Sequence, residues 1–103
     1  MVIVTVMYPI KPENKFDLDY YMKSHMPLVS DRWTPCGMQD ATVLRGLPGP
    51  GGAAPVYGMM AVLRFASAEG LQDGLAKHGR EVMGDVPNFT DVQPVVQVNE
   101  VLA

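Results

Sequence analysis

Residues 2–8 read VIVTVMY. β-Branched side chains dominate the stretch, and they favour a pleated strand. Alternate positions face opposite ways, so Val2, Val4 and Val6 share one side while Ile3, Thr5 and Met7 share the other. Both sides are apolar or nearly so. Such a strand belongs in a sheet covered on both faces. The segment has no positively charged start and no small-residue cleavage site, and Pro9 ends it, so it is expected to be a strand and not a signal peptide.

Working outward, Pro9 to Asn14 is a turn-rich connection. Asn14 is expected to cap a helix running from Lys15 to about His25, with Asp17 in its first turn, where negative charge is favourable. The inward stripe would carry Leu18, Tyr21, Met22, His25 and Val29. Lys15, Asp19 and Lys23 would form the wet face. Pro27 disfavours helical geometry at Met26 and lacks a donor, so a kink or break is expected just after His25. A second helical piece would continue through Leu28, Val29 and Trp33 until Pro35 and Gly37.

Gln39 to Leu47 reads as a second strand, Gly46 to Pro55 as a loop, and Val56 to Phe65 as a third strand. Ser67 and Glu69 open a second helix with the stripe Leu71, Leu75, His78 and Val82, closed by Gly84 and Pro87. Val92 to Leu102 reads as a last strand. The order β-α-β-β-α-β is the α+β, ferredoxin-like arrangement: an antiparallel four-stranded sheet with two helices on one face. The 103 residues suit a single domain. No third layer remains to cover the far face of the sheet. A second copy would cover it, making a homodimer of the dimeric α/β barrel kind.

Composition agrees with self-association. Charged residues are 18% of the chain, below the roughly 25% usual for soluble domains. The net charge is -3, and the basic residues are scattered from Lys11 to Arg80, so nucleic acid is not an expected partner. No apolar run reaches the length of a membrane span. The single cysteine, Cys36, allows no internal disulfide, and a cytoplasmic location is expected.

Two histidines, His25 and His78, fall on the two helical stripes and would look into one cleft. Imidazole moves protons near neutral pH, which suits acid–base work in an apolar pocket. Each also fits a plainer role, as a core or rim histidine bonded to the backbone. Tyr8, Tyr20 and Tyr21 supply hydroxyls near the first helix, and simple aromatic packing with the hydroxyl at the surface is expected of Tyr20. Trp33 suits a packing anchor or dimer contact as well as a place at the site. Met22 and the other methionines fill core gaps or line a cavity for varied apolar ligands. Asp85 could orient a histidine or bind substrate, or simply shape the turn before Pro87 and Asn88. The glycines at 49, 51 and 52 precede no helix, so they are not a phosphate loop. Cys36 has no feature that would lower its pKa. No metal site, Ser–His–Asp order or dinucleotide fingerprint is present.

Tyr8-Pro9, Phe16-Asp17, Tyr20-Tyr21 and His25-Met26-Pro27-Leu28 resemble the signature of the EthD family, and Asp85-Val86-Pro87-Asn88-Phe89-Thr90 is similar to its second stretch. The match keeps order and spacing over nearly the whole chain. The resemblance implies a dimeric ferredoxin-like barrel and raises His25, the motif histidine, above the other candidates. Tyr8, Tyr21 and Asp85 gain less, and the case for His78 rests on spacing alone. The family is named for ethyl tert-butyl ether degradation, and its members are often labelled reductases, which implies an oxidoreductase acting on xenobiotic, aromatic or ether compounds. The fold itself decides no chemistry.

The resulting expectation is a small hydrophobic organic ligand held between sheet and helices. His25, Tyr21 and His78 would be the catalytic candidates, and Tyr8, Met22, Trp33 and Asp85 the binding candidates. Cofactor-free isomerisation or cyclisation needs less machinery than reduction. The alternative is a non-catalytic carrier serving a partner oxidase. Haem held by His78 is a third reading; otherwise no cofactor is expected.

Overall fold

The computed structural model describes all 103 residues. Strands β1 (Val2–Tyr8), β2 (Met38–Arg45), β3 (Met59–Phe65) and β4 (Val95–Glu100) form one sheet in the order β2-β3-β1-β4. All neighbouring pairs are antiparallel. The α+β ferredoxin-like reading therefore holds. The third and fourth strands start later than their apolar runs suggested. Pro94 has no N–H to give a ladder, and β4 begins just after it.

The first helical segment departs from expectation at both ends. Its cap is Asp17, not Asn14: the Asp17 carboxylate accepts from the Tyr20 N–H at 3.0 Å, and α1 covers Leu18–Tyr20. Asn14 instead closes the preceding turn by accepting from the Lys11 N–H. Nor does Pro27 break the rod. A π-turn spans Tyr21–His25 and leads directly into α2, Met26–Trp33. Proline clashes with the carbonyl four residues back in an α-helix. The wider turn before it, closed by the Met26 N–H on the Tyr21 carbonyl, lets the chain stay helical. The second helix, α3 (Ala68–Gly84), is capped by Ser67, whose hydroxyl accepts from the Gly70 N–H, as its sequence implies.

Every second residue of β3 is buried: Met59, Ala61, Leu63 and Phe65. They lie in register with Tyr8, Val6, Val4 and Val2 of β1, so one sheet face meets the helices. Val29 and Trp33 from α2 and Leu71 and Val82 from α3 complete this core. Trp33 sets its ring edge-on to Phe65, and its Nε1 donates to the Gly74 carbonyl at 2.9 Å. The stripe on α3 is narrower than its spacing suggested. Leu75 is 44% exposed, and Gly74 takes the buried place because the indole lies against it.

The other sheet face carries Ile3, Met7, Met60, Val62, Leu44 and Val95 together with Thr5, Thr42, Gln97, Asn99 and the Asp40–Arg64 ion pair, so it is less apolar than the first strand implied. No element of the chain packs over it. Val96 and Val98 lie on the helix side of edge strand β4 and are about half exposed.

Candidate functional site

The π-turn buries Tyr21 and His25 together. Their rings stack with centroids 5.5 Å apart and planes 20° off parallel. Beyond α3 the chain turns through Val86–Asn88, which brings Asp85 up to the same place. The His25 Nδ1 and the Asp85 Oδ2 are 2.9 Å apart. Asp85 also accepts from the Tyr20 hydroxyl at 2.8 Å and from the Asn88 amide at 2.9 Å, both on Oδ1. Burial works to raise the Asp85 pKa, but hydrogen bonds from His25, Asn88 and Tyr20 outweigh it and hold the carboxyl below its ordinary value. Asp85 is therefore ionised at neutral pH. An ionised carboxylate only accepts, so the Nδ1 of His25 carries the proton and Nε2 is the nitrogen free to exchange one.

Phe89 packs against both rings, tilted on the imidazole with 4.7 Å between centroids and edge-on to Tyr21 at 5.0 Å. Tyr8 stands edge-on to both Tyr21 and Phe89. This aromatic box holds His25 at 4% exposure. The segment that supplies Phe89 is tied back to the first helix: Phe16 and Thr90 form a β-bridge, and the Asp17 N–H donates to the Phe89 carbonyl at 2.7 Å.

Between helices and sheet lies an apolar cavity. Its floor is Val6, Tyr8, Ala61 and Leu63; its walls are Tyr21, His25, Met26, Val29, Trp33, Val82, Met83 and Val86. No lysine, arginine or carboxylate lines it. The centre of a water-sized sphere has about 20 Å³ to move in, room for about one water. A larger guest must displace side chains. Met26 and Met83 are unbranched and have three rotatable bonds each, which makes them the movable part of the wall.

Of the residues singled out in the sequence, His25, Tyr21, Tyr8 and Trp33 line this cavity, and Asp85 lies directly behind His25. Met22 does not: its side chain sits on the outer side of the π-turn, 47% exposed. His78 is half-buried on α3 beside Glu81 and away from the cavity, so the two histidines do not share a cleft. Tyr20 does more than pack, because its hydroxyl holds Asp85. Sequence reasoning missed Asn88, Phe89 and Met83 as site residues. For Asn88 a signal existed, since an asparagine three residues after an aspartate in a proline turn is placed to bond it. No group of three or more metal-ligating side chains converges anywhere in the chain.

No family model and no curated protein matches the chain. Solved structures do. An EthD-like protein from Ralstonia eutropha JMP134 is 38% identical, with a TM-score of 0.90 over 99% of this chain and 92% of that one. A protein of the ethyl tert-butyl ether degradation (EthD) family from Bacillus halodurans C-125 is 22% identical, with a TM-score of 0.78 over 99% of each chain. A Mycobacterium tuberculosis protein at 12% identity and a TM-score of 0.53 shares the fold alone. At this identity over this length the first likeness is decisive, and the chain belongs to the EthD-like family.

Proposed function

We propose that the protein is an enzyme that moves a proton on a small, mostly apolar organic molecule bound under the helices, with His25 as acid and base. The observation that carries this is the His25–Asp85 pair, a carboxylate with three donors set behind an imidazole on an apolar cavity wall. Asp85 orients the ring and steadies it when it gains charge. In the free cycle Nε2 takes a proton from one atom of the ligand and returns it to another. No electron leaves the ligand, so the net reaction is an isomerisation or a cyclisation. An oxidoreductase role is favoured by the name of the family, which points to breakdown of a compact ether; it would add an electron acceptor to the same proton step.

The apolar patch on the second, uncovered face of the sheet supports a homodimer built face to face, with Ile3, Met7, Met60 and Val62 buried between copies.

Replacing His25 with Gln keeps size and polarity but cannot move a proton. Turnover of a substrate identified by screening is expected to fall by roughly 10²–10⁴. Unchanged turnover rejects the catalytic role. A protein that binds its ligand tightly and converts none of it is a carrier.

A further inference from the structure

Tyr21 lines the cavity, and its hydroxyl has nothing to bond. Tyr21 is 1% exposed, and its Oη is shut off from solvent without a hydrogen-bond partner. Unpartnered buried hydroxyls are uncommon, because burying one without a bond is costly. Nothing in the fold requires it, since phenylalanine would fill the same aromatic box. The ring it belongs to stacks on the imidazole of His25. Burial pushes the Tyr21 phenol up to about 12 and raises Tyr8 beside it as well. At neutral pH Tyr21 is therefore a donor and not a base.

We infer that the cavity takes a neutral carbonyl compound of mostly hydrocarbon surface, whose carbonyl oxygen accepts from the Tyr21 hydroxyl next to His25. This rests on the acid–base reading above and narrows its substrate to one class. Neutrality follows from the lining, which offers no cation to a charged ligand. A carbonyl is favoured because donor and base then act on one electron system. The Nε2 of His25 removes a proton from the carbon next to the carbonyl. The electron pair of that C–H bond forms a C=C bond, and the carbonyl π electrons move to the oxygen, where the Tyr21 hydroxyl stabilises the developing charge. In a β,γ-unsaturated member of this class the proton on Nε2 then returns to the γ-carbon as the C=O bond re-forms and the C=C bond shifts to the α,β position, which gives the conjugated isomer and restores the imidazole.

Acetophenone and α-methylstyrene have nearly the same shape, and only the first presents an oxygen. Titration followed by NMR of the protein is expected to show acetophenone binding roughly tenfold more tightly than α-methylstyrene. Its carbonyl stretch should move to lower frequency when bound. Tyr21→Phe should abolish both differences. Equal binding of the two probes, binding of neither, an unmoved stretch, or a preference that survives Tyr21→Phe overturns the inference. A second measurement needs no ligand. Because the hydroxyl is unpartnered, Tyr21→Phe should melt at or above the temperature of the parent protein; a fall of several degrees shows the hydroxyl already bonded and overturns the inference too. His25→Gln separates the two readings. If it abolishes turnover while the oxygen preference is missing, the carbonyl class fails and the acid–base pair stands. If the oxygen preference is present while His25→Gln leaves turnover intact, the pair fails and the subsite stands.

Discussion

His25 and Asp85 are sixty residues apart in the chain and meet at 2.9 Å, Nδ1 to Oδ2. One comes from a π-turn in the first helical segment and the other from the end of α3. Their pairing closes the helix layer over the cavity, so it bears on stability as well as on chemistry.

The carboxyl of Asp85 is held below its ordinary value of 3.8 in the folded protein. A carboxyl depressed by folding stabilises the fold above its unfolded pKa and loses that contribution as pH falls through the folded one. Wild-type protein should therefore lose more stability than Asp85→Asn between about pH 5 and pH 2. At pH 7 the variant should be weaker by about 1–2 kcal/mol, at or below the lower end of the range for hydrogen bonds to a charged group, because the carboxylate borders solvent. Urea unfolding across this pH range checks both statements. Parallel pH curves for the two proteins would refute the linkage.

Asp85 acts on the ligand only through His25. In Asp85→Asn, kcat should fall by less than it does in His25→Gln, while KM stays within a few-fold. A fall in affinity with kcat preserved would mean that Asp85 binds ligand directly. Steady-state kinetics on the screened substrate distinguishes the two.

Two glycines on α3 should answer the same substitution with opposite signs. A Cβ at Gly74 would stand 2.9 Å from Cδ1 of Trp33, a buried ring already bonded to the Gly74 carbonyl. Gly74→Ala should cost about 1–3 kcal/mol through overpacking. A Cβ at Gly79 meets Leu75 at 3.8 Å, an ordinary contact. Gly79→Ala should gain up to about 1 kcal/mol from helix propensity. Thermal melts of the two variants read the signs directly.

The far face of the sheet should be an interface. Val62 sits at its middle, on the β3 strand between β1 and β2, with Thr5 and Thr42 as cross-strand neighbours. Val62→Glu would bury a charge between copies and is expected to give a monomer in sedimentation at micromolar concentration. A parent protein that sediments as a monomer would reject the dimer outright.

Much of this was legible in local pattern. VIVTVMY announced a two-faced strand, Ser67 announced the start of α3, and the order of elements named the fold. These features depend on neighbours one to four residues away, and sequence carries that information directly. The first helix was harder. Asp17 and Asn14 are both good caps, and only the bridge from Phe16 to Thr90 decides where the helix begins. Pro27 forbids a regular α-turn, yet it does not say whether the chain breaks or widens.

The sequence by itself determined that this chain makes a four-stranded sheet whose first strand is nearly apolar on both sides, with one helix carrying a histidine and two tyrosines. The periodicity of side chains along a strand or helix sets such facts. Only the tertiary structure decided which groups work together. It put Asp85 behind His25, left Tyr21 without a partner, and sent His78 and Met22 away from the cavity. Those outcomes depend on how distant segments pack, and hydrogen-bond partners and shared cavities come from contacts that no local spacing encodes.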